Sequence, residues 1–373
     1  MTRGNSYNSK AHSAKGDEMR PRFDHDRSAG PAGASRGRVA AVFLLAFVTA
    51  LVASCGDSTE SPSEDSSTKT LSSLRKIDDY PLYVLRYYGD YGFSGYLSDP
   101  GRGEASPTIH EPAGSWGCTT FSAVSPAGEP LLARNFDWYD HIALLVYTDP
   151  PDGWASVSMV DLTYVGFVPD NASEENLRKL LRVPYWPFDG MNERGVAIGM
   201  MAVPQAEGGD DPGKPTIGSL DAIRLVLDYA QDVEEAVSLL GRYNIDFAGG
   251  PPVHYLVSDP TPRSVVIEFL DDEMIVIPSD AAWQVATNFV MTGYPFGDPP
   301  SDCWRYNLVY NALKEKNGAV TSDGAMDLLE NCSQPITMWS VVYGGEDGTV
   351  SVTAGREYSN VHRFTLEGLR QLR

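Results

Sequence analysis

Cysteine and histidine are scarce in this chain, four and six residues among 373. None of them is spaced as metal ligands are, so neither a metal nor another cofactor is expected. Basic residues are few as well, 29 Lys and Arg against 50 Asp and Glu, for a formal charge of −21 at pH 7. Residues 1–54 hold 8 of the basic and 4 of the acidic residues, which leaves 21 and 46 in the remainder. A surface so acidic repels nucleic acid and anionic lipid. Nothing basic and aromatic clusters as a nucleic-acid platform requires, which sets that partner class aside. No apolar run reaches the length of about 20 residues that a spanning helix needs. Internal repeats are also missing, which excludes a solenoid.

What is present is globular in character, 42% hydrophobic and 21% charged, and long enough for one large core or two small ones. One catalytic domain behind a leader is the expectation. The longest apolar run, Val39 to Ala53, has 15 residues, follows Arg36 and Arg38, and ends in Leu51-Val52-Ala53-Ser54-Cys55. That is the layout of an export signal. The small residues before Cys55 resemble the bacterial lipobox, in which the new N-terminal cysteine is acylated. Residues 1–54 are then a lipoprotein signal peptide, and Cys55 a lipid anchor on the extracytoplasmic side of the cell membrane, the chain's single tie to a membrane. An ordinary signal peptide or a short membrane anchor is the alternative, and Met19 is a second candidate start. Outside the cytoplasm a disulfide persists, which makes Cys303 and Cys332 a candidate pair whose geometry the spacing leaves open.

Residues 55–73 are rich in Ser, Thr, Asp and Glu with almost no large apolar side chains, the composition of a disordered tether. Residues 74–117 regain aromatics, with a Tyr-rich stretch from Tyr80 to Tyr96, and read as an N-terminal propeptide or small chain. From Cys118 the pattern turns to strands. Thr119–Val124 and Leu131–Trp138 flank turn chemistry at Ser125–Pro130 and predict a hairpin. Ile142–Thr148 and Trp154–Val160 extend it as a meander. Helices are expected near Ser173–Leu181, capped by Ser173, then over Ser219–Tyr229 and Val233–Leu240. Three strands follow, His254–Val257, Ser264–Leu270 and Met274–Ile277. Helical spacing returns at Trp304–Lys314 and Ser322–Leu329, with Ser322 as cap, before a closing hairpin of Trp339–Tyr343 and Thr349–Thr353. This order indicates an α+β layer protein, with residues 118–373 as the catalytic domain, rather than a doubly wound βαβ fold.

Cys118 starts the first of these strands behind Gly117, and two readings compete for it. Free cysteine is among the most buried residue types, so a structural core cysteine is one. In the other, cleavage before Cys118 exposes a new α-amine, which titrates at about 8 beside a thiol at about 8.5, whereas a lysine titrates at about 10.4. One residue then supplies nucleophile and base, and their titrations are coupled. A nearby cation favours the thiolate. Arg134 lies across the hairpin, and Asp137, three residues on, can hold the amine by hydrogen bond and charge; a solvated strand pair is the plainer fate of both. Thiol attack on the preceding carbonyl needs a closely approached backbone, which Gly117 tolerates.

Gly117-Cys118-Thr119-Thr120-Phe121, followed by Arg134-Asn135-Phe136-Asp137-Trp138, resembles the N-terminal-nucleophile hydrolases, in particular the choloylglycine hydrolase and penicillin V acylase group and the isopenicillin N acyltransferase group. Asp189-Gly190-Met191-Asn192-Glu193-Arg194-Gly195-Val196, the strand His254–Asp259, Ala286-Thr287-Asn288 and Cys303-Trp304-Arg305-Tyr306 continue the likeness in family order over residues 110–360. The resemblance implies a four-layer αββα sandwich and hydrolysis of a linear amide in a small-molecule substrate. It makes Cys118 the nucleophile, freed by cleavage of the Gly117–Cys118 bond, with Arg134 and Asp137 beside it. Asn288 becomes an oxyanion donor through its side-chain N–H, the backbone N–H at Ala202 a second donor, and Arg305 a further cation near the thiol. Asn192 and Glu193 read as structural. Homo-oligomers are frequent among the relatives. Acyl transfer to an amine is the alternative within this chemistry, and a catalytically silent ligand-binding lipoprotein the alternative outside it. A Cys–His dyad is the rival mechanism; His141, His254 and His362 alone follow Cys118, none in a papain-like motif. Specificity in such folds is set by loops, here Tyr139–Ile142, Pro204–Pro215 and Met291–Pro300, with Trp186, Phe188 and Tyr294 as candidate apolar walls.

Overall fold

Two sheets carry most of the core, and many of their strands are buried from end to end. The structure, a computed structural model, describes residues 64–100, 117–139, 142–294, 302–345 and 348–373. Cys55, the signal peptide and His141 lie outside the described residues. The nine-stranded sheet runs β1 (Arg75–Asp78), β2 (Leu82–Arg86), β5 (Ala143–Thr148), β6 (Ser156–Asp161), β7 (Asp189–Asn192), β8 (Ala197–Ala202), β11 (Val253–Ser258), β12 (Ser264–Leu270) and β13 (Glu273–Pro278). The six-stranded sheet runs β14 (Gln284–Ala286), β3 (Gly117–Val124), β4 (Pro130–Asp137), β15 (Thr337–Gly344), β16 (Thr349–Ala354) and β17 (His362–Thr365). Among the described residues of these two sheets, only β2 and β5 pair in parallel. A short parallel pair, β9 (Thr216–Gly218) and β10 (Asn244–Asp246), stands apart.

The inner faces meet where β3 and β4 pass β8 and β11. Outside them, α4 (Ser219–Tyr229) and α5 (Val233–Leu240) cover the nine-stranded sheet, and α6 (Trp304–Glu315) and α7 (Ser322–Asn331) cover the six-stranded one. This is the αββα layering expected, and the reason is written in the strands. Every residue of β4, β5 and β6 is buried, as strands covered on both faces must be. Burying side chains such as Phe121, Leu132, Leu144 and Val266 stabilises the stack by about 1.5–3 kcal/mol each. Local capping sets the helix starts. Asp221 accepts the Gly218 N–H at 2.9 Å ahead of α4, and Asp232 accepts the Glu235 N–H at 2.8 Å at α5. Among the described residues no helix is long and apolar enough to cross a membrane.

Several expectations need correction. The meander does not form, because β3–β4 and β5–β6 belong to opposite sheets. The segment expected as a tether contains α1 (Glu64–Ser72). Its short hydroxyl residues, which lowered the apparent capacity for burial, serve as partners for a strand end. Thr70 Oγ1 accepts the Tyr88 N–H at 2.9 Å, and Ser73 Oγ donates to the Arg86 carbonyl at 2.9 Å while accepting its N–H at 3.0 Å. Residues 64–100 therefore join the same compact unit as residues 118–373. Ser173 caps α3 (Glu174–Arg178) as expected, but α7 is capped by Thr321, whose Oγ1 accepts the Gly324 N–H at 3.0 Å, not by Ser322. The closing hairpin is followed by β17 and α8 (Leu366–Arg370).

Candidate active site

Cys118 is the second residue of β3, opposite Phe136, with Thr120 opposite Arg134. The strand is sealed between helix and sheet layers, yet Cys118 is among the residues that line a cavity. Aromatic and aliphatic side chains form its walls, chiefly Phe136, Trp138, Tyr164, Phe188, Met200 and Leu220. Of the described lining residues, Arg134 alone carries a charge. Phe188 is thus a wall as expected, whereas Trp186 and Tyr294 are not among the lining residues. The described parts of the three loops named above are not among them either; backbone at Ala248–Pro251 contributes instead. That Ala-Gly-Gly-Pro stretch has almost no side chain to signal a binding role.

Arg134 reaches Cys118 Sγ with Nη2 at 3.7 Å. It is fully buried, so it needs a buried counter-charge, and Asp189 on β7 of the facing sheet supplies one by an ion pair with Nη1. The Met200 carbonyl accepts from Nε at 3.1 Å and from Nη2 at 2.8 Å. Asp189 also accepts from Tyr343 Oη and from Trp339 Nε1 at 3.3 Å. Asp189, part of the Asp189–Val196 motif, has no role in the sequence-based expectations; a strand arginine that is buried needs such a counter-charge. Burial pushes the Cys118 thiol above its ordinary value. The Arg134 guanidinium opposes that, the Asp137 charge adds to it, and the Asp137 backbone N–H and Arg305 oppose it.

Around the Gly117–Cys118 bond the contacts are close. The Cys118 N–H donates to Asn288 Oδ1 at 2.6 Å, and its carbonyl accepts from Arg305 Nη1. Arg305 also donates to Thr119 Oγ1 at 2.9 Å and, through Nη2, to Asn288 Oδ1 at 3.0 Å. Two donors therefore fix the Asn288 amide with its oxygen toward Cys118, and its Nδ2 donates to the Ala202 carbonyl at 2.8 Å. The side-chain N–H expected to face an oxyanion is engaged in this state of the chain. Asp137, opposite Gly117, accepts from Gln334 Nε2 at 2.6 Å and from Thr337 Oγ1. Burial raises the Asp137 carboxyl above its usual range, against those two hydrogen bonds and the pull of Arg305 and Arg134. Gln334 was missed because nothing local marks it. A Cβ at Gly117 would lie 2.4 Å from Gln334 Nε2, so glycine there leaves room for the Gln334–Asp137 bond.

The remaining candidates fall elsewhere. His254 is buried with Nδ1 3.1 Å from Glu268 Oε1 and Nε2 2.7 Å from the Thr287 carbonyl, and His362 pairs with Asp78 at 2.8 Å. Both ring nitrogens of His254 and Nε2 of His362 are thus engaged by partners other than Cys118. Glu268 also accepts the N–H groups of Met291 at 2.6 Å and Thr292 at 2.9 Å, so the pair brackets the segment that carries Asn288. Cys303 and Cys332 are free thiols, correcting the candidate disulfide. Cys303 Sγ contacts Thr287 Oγ1 at 3.2 Å, while Cys332 is enclosed near Asn135, where burial first and the Asp137 charge second push it up to about 12. Asn192 is structural as expected, donating to the Leu227 and Ala230 carbonyls at 3.1 and 2.7 Å. Among the described residues no group of three or more His, Cys, Asp or Glu is arranged to hold a metal ion.

Residues 118–289 match the family model of linear amide C-N hydrolases, choloylglycine hydrolase family. No curated protein matches the chain. Among solved structures, two variants of the conjugated bile acid hydrolase from Clostridium perfringens align with it at TM-score 0.51 and 16% identity, over 67% of this chain and 92% and 93% of theirs. The penicillin V acylase from Agrobacterium tumefaciens aligns at TM-score 0.48 and 18% identity, over 67% of this chain and 86% of that one. Fold and family signature together identify the chain as an amide-hydrolysing enzyme with the N-terminal-nucleophile-hydrolase fold, similar over residues 118–289 to the linear amide C-N hydrolases of the choloylglycine hydrolase family.

Proposed function

We propose that the enzyme cuts its own chain after Gly117 and then hydrolyses linear amides of small N-acylated compounds with Cys118. The observation that carries this reading is the position of Cys118, lining a largely apolar cavity with its Sγ 3.7 Å from the Arg134 guanidinium. In the cut, Sγ attacks the Gly117 carbonyl carbon, the C–N bond breaks as the amine takes a proton, and water opens the thioester to leave a Gly117 carboxylate. In turnover the free α-amine takes the thiol proton as Sγ attacks the substrate carbonyl, and returns it to the leaving amine. Water then releases the acid. Asp137, with Gln334 and Thr337, is suited to hold the new ammonium group. The aromatic walls fit an apolar or aromatic acyl group, with the amine portion toward the mouth. N-terminal sequencing of the purified protein tests the reading: a fragment starting at Cys118 is expected, and a single chain starting earlier would overturn it.

Asn288 carries a second expected result. In the acyl-transfer steps its Nδ2 is the candidate oxyanion donor, with the Ala202 N–H alongside, once it lets go of the Ala202 carbonyl. Asn288→Ala is expected to lower kcat about a hundredfold, the effect of one lost oxyanion donor. Unchanged kcat in steady-state hydrolysis of an active amide would remove Asn288 from this role. Gly117→Ala is expected to slow the cut by about tenfold or more, a barrier rise of about 1.4 kcal/mol, because the added methyl displaces Gln334 from Asp137. The rate at which two bands replace one on a denaturing gel checks it, and a wild-type rate would sink the argument. Cys55 is proposed as the lipid anchor on sequence grounds. Cys55→Ser should move the protein from the membrane to the soluble exported fraction, and an unchanged distribution would refute anchoring.

A further inference from the structure

We propose that His254 and Glu268 form a positioning pair for Asn288, holding residues 287–292 from the facing sheet so that the Asn288 amide stands against Cys118. The consequence for hydrolysis rests on the reading of Asn288 as an oxyanion donor; the hold on the segment does not.

Asn288 needs such a hold because strand pairing does not supply one. β14 pairs with β3 only as far as Ala286 opposite Thr120, so Asn288 lies two residues beyond the last paired position. Its side chain nevertheless makes three bonds beside Cys118. Oδ1 accepts from the Cys118 N–H at 2.6 Å and from Arg305 Nη2 at 3.0 Å, and Nδ2 donates to the Ala202 carbonyl at 2.8 Å. These demand a fixed backbone, since a displacement of about 1 Å near a reacting centre can cost about a hundredfold in rate.

The hold comes from two polar residues on β11 and β12 of the nine-stranded sheet. The β11–β12 register, with Tyr255 opposite Ile267, brings His254 and Glu268 side by side at the next position, and both are buried. The Thr287 carbonyl can only accept, so His254 Nε2 carries a hydrogen and donates to it at 2.7 Å, while Nδ1 faces Glu268 Oε1 at 3.1 Å. Glu268 Oε1 also takes the Met291 N–H at 2.6 Å, and Oε2 takes the Thr292 N–H at 2.9 Å and the Thr292 hydroxyl at 2.6 Å. Burial works against ionisation of the Glu268 carboxyl, but the His254 hydrogen bond and charge, with the Met291 and Thr292 donors, hold it below its ordinary value.

The direction of these bonds separates positioning from plain support of the sheet. Buried polar groups must be paired, and a pair that served β11 and β12 alone would find its partners there. Among the described residues, every side-chain partner of this pair outside itself belongs to residues 287–292, one on the N-terminal side of Asn288 and three bonds on the C-terminal side.

Hydrogen exchange of the full-length enzyme tests the hold without a substrate. In Glu268→Gln, whose amide keeps the volume but accepts on one atom only, peptides covering residues 287–292 are expected to exchange about tenfold faster or more, with β3, β11 and β12 protected as in the parent. Parental exchange in that segment, or protection lost across β11 and β12, overturns the proposal. Thr292→Val removes one hydroxyl from the same carboxylate and serves if Glu268→Gln fails to fold; a smaller rise confined to the same segment is expected, and no rise overturns the hold. Turnover of a p-nitroanilide of an apolar acid reads the consequence. Glu268→Gln should lower kcat about tenfold or more with KM within about twofold, because the loss falls on the transition state. With Asn288 already Ala, it should cost less than about twofold more, because both changes act through one group. Unchanged kcat, or equal losses in both backgrounds, overturns positioning and leaves the oxyanion role of Asn288 standing. If Asn288→Ala keeps the parental kcat, the oxyanion reading fails instead, and hydrogen exchange still decides the hold.

Discussion

Cys118→Ala is expected to remain a single chain and to hydrolyse no amide above background, while folding as the parent does. The side chain fills a small part of a packed strand whose neighbours are set by the β3–β4 register, so loss of one sulfur atom leaves stability within about 1 kcal/mol, the scale of a small core truncation. The chemistry has no such tolerance. On the proposed mechanism, without Sγ neither the Gly117 carbonyl nor the substrate carbonyl meets a nucleophile, and a free amine, even if produced by other means, has no thiol to deprotonate. Cys118→Ser separates the steps. A hydroxyl can still attack, but the Arg134 guanidinium at 3.7 Å favours a thiolate far more than an alkoxide, so both cut and turnover should fall by about a thousandfold or more, as when a nucleophile is disabled in a preformed site. Mass spectrometry reads the cut and progress curves read the turnover. Hydrolysis by an uncut Cys118→Ala protein would require a nucleophile elsewhere and end the proposal.

Asp189→Ala is expected to be the most damaging single change to the fold, at about 3–5 kcal/mol, because it strands a cation in the intersheet core. Arg134 and Asp189 are both 0% exposed, and the same carboxylate receives Tyr343 and Trp339. Arg134→Met leaves Asp189 with those two donors, so its cost to stability should be smaller and its cost to hydrolysis larger. Combining Arg134→Met with Asp189→Asn should recover part of the lost stability and none of the activity, since the two effects sit on one pair. Denaturant unfolding gives the free energies. A midpoint for Asp189→Ala within about 1 kcal/mol of wild type would show that the pair contributes little.

The elements that were legible in the sequence are those whose signal is local. β3 and β4 follow from β-branched and aromatic runs around a Pro-Gly turn, and α4 and α5 match the expected spans because apolar spacing and caps agree. What escaped is decided at a distance. Whether β5 pairs with β4 or with β2 depends on which sheet face it completes, and no window of neighbouring residues contains that choice. Segment 64–73 shows the same limit from the other side: its hydroxyls look unburiable until Arg86 and Tyr88 arrive to bond them. At the site, Cys118, Arg134, Asn288 and Arg305 were named and are found in contact. Gln334 and Asp189 were not assigned roles, since an amide or carboxylate defined only by its partner 197 or 55 residues away leaves no pattern along the chain.

Cys118 and Arg134 belong to one sheet, while Asp189 and Met200, which hold the guanidinium, belong to the other. The reactivity of the thiol is therefore a function of the gap between sheets, and residues that gauge that gap act as remote controls on it. Gly199 is such a gauge: a Cβ there would stand 3.0 Å from Arg134 Cδ and 3.2 Å from Thr120 Cγ2. Substitutions can recontour the aromatic walls without touching that gap, but any change that spreads the sheets shifts the Arg134 guanidinium relative to the Cys118 thiol at the same time.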